Sequence, residues 1–63
     1  MKIETLSIDA QKKLISIAEF ENLDISVLEQ EDTREAIRGA ILGKHYEGRE
    51  ITIAMEILDF IAI

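Results

Sequence analysis

Residues 49–63, REITIAMEILDFIAI, decide the fold that this sequence predicts. At 100° per residue, the polar side chains Arg49, Thr52, Glu56 and Asp59 form one narrow stripe, and apolar residues cover an arc of about 220° around the rest of the helix. A surface helix that packs on one side needs only about half of such an arc. The pattern therefore predicts a helix that lies at the centre of the domain or is shared with another molecule.

Two further amphipathic helices are predicted upstream of this segment. The first spans residues 8–21 and takes Ser7 as its N-cap. Its apolar face carries side chains three and four residues apart, with Ile8 and Ile15 on the flank: Ala10, Leu14, Ile17 and Ala18. The second spans residues 33–42, and its apolar residues also share one face: Ala36, Ile37, Ala40 and Ile41.

Cap and turn residues set the predicted ends of these helices. Asp32 is the expected N-cap of the 33–42 helix, and Glu35 completes an Asp-x-x-Glu variant of the capping box. Gly43 is a natural stop, and residues 44–48 form a connecting turn. Gly39 costs roughly 1 kcal/mol in a helix interior relative to alanine, which suggests that another backbone comes close to it.

A short helix is also predicted between the two, ending at Gln30. Asp24 and Ser26 compete as its N-cap. Asp24 is preferred, because it keeps both Val27 and Leu28 inside the helix.

The sequence as a whole predicts an all-α fold. We expect one domain over residues 1–63, a compact bundle of three to four short helices with the C-terminal helix central. An α+β alternative stays open, because residues 1–5 and 50–53 are rich in β-branched side chains and could pair as a short two-stranded ribbon. The helical interpretation is preferred, since the polar stripe of the last segment repeats at intervals of 3, 4 and 3.

The amino-acid composition argues against several classes of function. The 63 residues include 13 acidic and 7 basic side chains, for a net charge of −6, and no cysteine. An acidic chain is poorly suited to direct contact with nucleic acid, and without cysteine there is neither a thiolate zinc site nor a thiol nucleophile. No apolar run reaches the roughly 18 residues of a membrane span, and no signal peptide is recognisable. We expect a cytoplasmic protein without membrane contact.

No residue pattern predicts catalysis, a cofactor or a metal. His45 has no second ligand or partner at helical spacing, so we interpret it as an exposed turn residue. The acidic residues 29–35 lack the turn glycine of a calcium loop. A phosphate-binding loop follows directly after a strand, and no predicted strand precedes the glycines of this sequence. We therefore predict that the chain is not an enzyme.

Residues 18–28 have a loose helix-turn-helix spacing, carried by Ala18, Asn22, Leu23 and Leu28. The segment that would serve as the recognition helix carries acidic side chains and no basic one. The phosphate groups of DNA would repel such a helix. A helix-turn-helix-like transcription regulator is therefore an alternative function, and a packing unit is the preferred interpretation.

The positions of the charged residues along the chain are more informative than the net charge. Residues 19–35 contain seven acidic side chains and one basic one, Arg34, so the whole net charge lies there. Such a segment can simply keep a small apolar protein in solution, or it can dock a basic partner. We call this set of seven acids the acidic surface: Glu19, Glu21, Asp24, Glu29, Glu31, Asp32 and Glu35.

These features together predict a small acidic protein-interaction module. We expect a regulatory or inhibitory binder of a larger protein, such as one that handles nucleic acid. A domain this small is marginal without a cross-link or a partner, so we also expect a homo-oligomer. A purely structural oligomerisation module is a further alternative. The predicted apolar contact lies on the C-terminal helix: Ile53, Ile57, Phe60, Ile61 and Ile63.

Overall fold

Three α-helices and two turns of 3-10 helix make up the computed structural model, which describes residues 1–62. Helix α1 spans Ile8–Phe20, α2 spans Glu31–Leu42 and α3 spans Arg49–Ile61. The 3-10 turns are Ile3–Thr5, before α1, and Ile25–Val27, between α1 and α2. Helix α3 packs against both other helices. The predicted all-α bundle with a central C-terminal helix is confirmed.

The ribbon alternative is wrong. Residues 3–5 form a 3-10 turn and residues 50–53 lie inside α3, and the described part of the chain contains no strand. Helical spacing of the apolar residues in α3 therefore outweighs their β-branching. Within the same residues, no helix combines the length and apolar character that a membrane crossing needs.

One apolar core joins the three helices. Leu14, Ile37, Ile57 and Ile61 have essentially no exposed surface, and the predicted inner face of α1 is buried throughout. The remaining core residues come from every helix and from the segments before α1 and α2: Leu6, Ala10, Ile17, Leu28, Ile41, Ile53 and Ala54. The α-carbons have a radius of gyration of 10.6 Å, as expected for a single compact chain of this length.

Ser7 is the N-cap of helix α1, as predicted, and a residue of α3 completes this cap. The Ser7 hydroxyl accepts a hydrogen bond from the Ala10 amide at 3.2 Å. In a local capping box, a Glu at the position of Ala10 would return a bond to the Ser7 amide. Here Glu56 of α3 takes that part: its carboxylate accepts from the Ser7 amide at 2.7 Å and from the Ser7 hydroxyl at 2.8 Å. Glu56, a member of the polar stripe of α3, thus contacts the start of α1.

Two ion pairs extend this contact along α1 and α3. Arg49 pairs with Asp9. Lys13 Nζ lies 2.8 Å from Glu50 Oε1, and this hydrogen bond raises the pKa of Lys13 above its ordinary value. Because these groups are at least partly exposed, each pair contributes little to stability by itself. Both pairs join α1 to the start of α3.

Helix α1 ends in a Schellman motif, one residue before the predicted end. Asn22 adopts the left-handed conformation, with a φ of 58°. Its amide donates to the Glu19 carbonyl at 3.2 Å, and the Leu23 amide donates to the Ala18 carbonyl at 2.7 Å, which is the bond pattern of that motif. The predicted turn at Asn22 is thus a helix C-cap, and one 3-10 turn lies between it and α2.

The predicted short helix over 24–30 is correspondingly wrong in type and length. Only Ile25–Val27 is helical there, as 3-10 helix. Its preferred N-cap is confirmed, because Asp24 Oδ1 accepts from the Ser26 amide at 3.0 Å.

Helix α2 starts two residues earlier than predicted, at Glu31. Asp32 is therefore not its N-cap but lies in its first turn; Gln30 takes the N-cap position, without a side-chain cap bond. The Arg34 guanidinium donates to the carbonyls of Leu28 and Glu29, at 2.9 and 2.6 Å. These bonds hold the chain just before the helix and explain the early start.

Gly39 lies in open space, contrary to the expectation of a nearby backbone. A β-carbon added there would meet nothing within 4 Å. Gly48, before α3, differs: its φ of 59° and ψ of −131° are a conformation reserved for glycine.

The two glycines give opposite predictions for stability. Gly39→Ala should raise the free energy of unfolding by about 1 kcal/mol, because alanine lowers the entropy of the unfolded chain and meets no obstacle. For a domain of this size, the midpoint of thermal unfolding should rise by about 4–8 °C. Gly48→Ala should lower it. A Gly39→Ala midpoint at or below that of the wild type would contradict the open space around residue 39.

The bond from Glu56 to Ser7 is tested on the same helix. Glu56→Ala should lower the free energy of unfolding by about 1 kcal/mol, because it leaves the Ser7 amide and hydroxyl without their acceptor. Asp59→Ala is the matched control: it also replaces an acid of α3, and it should leave stability unchanged or slightly higher, since a negative charge near a helix C-terminus is unfavourable. Urea unfolding followed by circular dichroism measures both. Equal effects would remove the special role of Glu56.

Candidate protein-interaction surfaces

All seven residues of the acidic surface are exposed. They follow the end of α1, the connection to α2 and the first turns of α2. Two of them have cationic partners: Glu29 pairs with the amino-terminal ammonium of Met1, and Glu35 pairs with Arg38. Within residues 1–62, the other five form no salt bridge: Glu19, Glu21, Asp24, Glu31 and Asp32.

Local structure explains part of this set. The hydroxyl and amide of Ser26 both bond Asp24, and they hold the pKa of its carboxyl below the ordinary value. The ammonium of Met1 does the same for the pKa of Glu29. Glu31 and Asp32 lie in the first turn of α2, where a negative charge suits the helix dipole. Each of these acids therefore has a structural role as well as a charge.

Glu19 and Glu21 have no such role. Glu19 lies in the last turn of α1 and Glu21 is its C-cap residue, and α1 has no basic residue in its last turn. Negative charges there oppose the dipole of the helix and cost a few tenths of a kcal/mol or more each. Unlike Asp24, Glu29, Glu31 and Asp32, these two side chains have no cap bond, ion pair or favourable position in the helix dipole among the described residues, so a role in stability does not explain them.

The predicted apolar contact residues lie mostly inside the protein. Ile53, Ile57 and Ile61 belong to the core, with 9%, 0% and 0% of their surface exposed. Phe60 is half-buried and packs against the core, and Ile63 is outside the described residues. In the single chain, these side chains serve the fold, and their contact with a partner stays a prediction.

The exposed part of the apolar arc is one side of α3 next to the end of α2. Ile51 and Met55 have 45% and 57% of their surface exposed, and Leu42 of α2 has 67%. Together with Leu58, they line a shallow groove of about 240 Å³. We call these four residues the α2–α3 apolar face. Met55 lies at one edge of the 220° arc and Ile53 lies near the other, and the neighbouring helices cover only the side of Ile53.

Two residues of the 44–48 loop border this face. Lys44 and Tyr46 both line the groove. The Lys44 ammonium lies 4.9 Å from the ring centre of Phe20, which is itself highly exposed, and the Lys13 ammonium lies 5.3 Å from that of Tyr46. These cation–π contacts join the loop to the middle and the end of α1.

The remaining candidates for chemistry are dispersed. The His45 side chain is 84% exposed, and its Nε2 lies 3.8 Å from the Glu47 carboxylate. Among residues 1–62, no group of three or more His, Asp or Glu side chains is arranged to hold a metal ion. A groove of about 340 Å³ lies between α1 and the start of α3, and the charged groups lining it include the Arg49–Asp9 and Lys13–Glu50 pairs.

Comparisons with models of protein families, with curated proteins and with solved structures found no match to this chain.

Stability at acid pH tests the cap formed by Asp24. Its pKa is lower in the folded chain than in the unfolded one, so its contribution is complete above about pH 4 and is lost as the pH falls through the lower folded value. Asp24→Asn keeps a capping oxygen but does not titrate. Between pH 5 and pH 2.5, the wild type should therefore lose more stability in urea unfolding than this variant. Parallel losses would contradict the hydrogen-bonded cap.

Proposed function

We propose that this chain is a small acidic protein-interaction module, a regulatory or inhibitory binder of a larger protein with a basic surface, acting in the cytoplasm. It works by binding and not by catalysis. The observation that carries the proposal is the pair of exposed acids at the end of α1, Glu19 and Glu21, whose charges oppose the helix dipole and have no cation partner in residues 1–62.

The surrounding charges support a basic partner. Asp24, Glu31 and Asp32 are also exposed and without salt bridges in the described chain, and they continue from the end of α1 to the start of α2. Arg34, the one cation in this segment, is half-buried and donates to two backbone carbonyls. Such a surface attracts a positively charged protein at long range and repels nucleic acid.

The unfavourable position of Glu19 and Glu21 at the end of α1 also supports the proposal. Residues that break a local rule without a structural gain are commonly found at functional sites. Replacing Glu19 and Glu21 removes an unfavourable interaction with the end of α1. The same substitutions should therefore weaken binding while they leave the fold intact or stabilise it, which separates binding from folding.

Affinity capture from an extract of the source cells tests this function. The immobilised wild type should retain a basic protein, identified by mass spectrometry, and added salt should release it. The variant Glu19→Gln/Glu21→Gln should retain at least tenfold less of it, while its thermal midpoint stays equal or rises. The matched control Glu4→Gln/Glu47→Gln removes two exposed acids elsewhere and should bind like the wild type.

Two outcomes would contradict the proposal. One is capture of the same protein, in the same amount, by the Glu19→Gln/Glu21→Gln variant. The other is an equal loss of capture in the control variant, which would mean that net charge alone, and not this surface, governs binding.

A further inference from the structure

Phe20 has more of its surface exposed than any other large apolar residue that the structure describes, at 78%. It is the last residue of α1, and its ring lies beside the 44–48 loop, where the Lys44 ammonium is 4.9 Å from the ring centre. A cation within about 6 Å of a ring centre is attracted by the negative face of the ring. The ring of Phe20 is therefore an exposed group that already holds a cation.

Two carboxylates flank this ring. Glu19 and Glu21 directly precede and follow Phe20, so their side chains project about 100° to either side of it. Both are exposed, and within residues 1–62 neither forms a salt bridge with Lys44 or with another cation. The two carboxylates thus remain available to a cation that binds on the ring.

We propose that Phe20, Glu19 and Glu21 bind an arginine side chain of the basic partner, and that this arginine displaces Lys44 from the ring. This site rests on the proposed function, since it is the part of the acidic surface that recognises the basic partner. The planar guanidinium of arginine stacks on an aromatic ring, and its N–H groups donate to carboxylates beside the ring. A lysine ammonium is a compact charge, and Lys44 contacts the ring without an ion pair to either carboxylate.

Lys44 is placed so that a stronger ligand of the ring can displace it. It is exposed, lies in the loop between α2 and α3, and makes no salt bridge among the described residues. The contact of an exposed ammonium with a ring is weak, whereas a guanidinium gains the ring and charge-assisted hydrogen bonds as well. Lys44 therefore competes with the arginine, and the loss of its charge should strengthen binding. A lysine that only fastened the loop to α1 would have no such effect.

A small probe, Nα-acetylarginine amide, tests the site by nuclear magnetic resonance. In the free chain, the ring current of Phe20 should shift the ε-methylene protons of Lys44 upfield, because the ammonium lies over the ring. The probe should move these signals back towards ordinary lysine values and shift the Phe20 ring signals at the same concentrations. Nα-acetyllysine amide at equal concentration should shift the Phe20 ring signals about threefold less.

Two charge variants serve as test and control for the competition. Lys44→Gln should bind the arginine probe about threefold more tightly than the wild type. Lys2→Gln removes another exposed cation and should bind the probe like the wild type. Equal gains in both variants, equal shifts by the arginine and lysine probes, or no shift of the Phe20 ring signals up to about 50 mM arginine probe would each overturn the proposal.

Capture of the partner separates this site from the proposed function. Phe20→Leu keeps an exposed apolar side chain without a ring, so it should retain about fivefold less of the captured protein at unchanged helical circular dichroism. Phe20→Tyr keeps the ring and should capture like the wild type. If Glu19→Gln/Glu21→Gln loses capture while Phe20→Leu keeps it, the arginine site is wrong and the proposed function stands. If Glu19→Gln/Glu21→Gln keeps capture, the proposed function fails and this site fails with it.

Discussion

The position of α3 between the other two helices is the constraint on which the rest of the structure depends. A chain of 63 residues without disulfides has little apolar surface to bury, and one helix that serves two neighbours uses it efficiently. Ile57 and Ile61 are completely covered in this arrangement. This position requires a broad apolar arc on α3. It also leaves apolar side chains exposed on the side of Met55, because the core does not reach them.

The sequence predicted the helices well and their connections less well. Ser7 as a cap, the buried face of α1 and the end of α2 at Leu42 follow from local rules, and all three are observed. Local rules do not predict the start of α2, because Arg34 fixes it through carbonyls five and six residues upstream. Glu56 is likewise only a member of a polar stripe in the sequence, and the packing of α3 on α1 reveals its acceptor role.

The two candidate surfaces also differ in how much of each the sequence predicts. The acidic surface could be located from charge alone, and its residues are exposed as a solvated segment requires. The apolar contact could be assigned to the correct helix, but Ile53 and Ile57 lie in the core, since the side of an apolar arc that faces inward depends on the neighbouring helices. Met55 belonged to the same arc, and its exposure follows from the orientation of α3.

The cap that Glu56 provides for α1 has a consequence for folding. Ser7 and Glu56 are 49 positions apart, so the bond forms only when the ends of the chain have come together. A helix with a local capping box can gain its first turn before tertiary contacts exist, whereas the first turn of α1 gains its full cap when α3 docks. The cap thereby links local helix formation to global topology, and it favours folding as one cooperative transition over stepwise assembly from preformed helices.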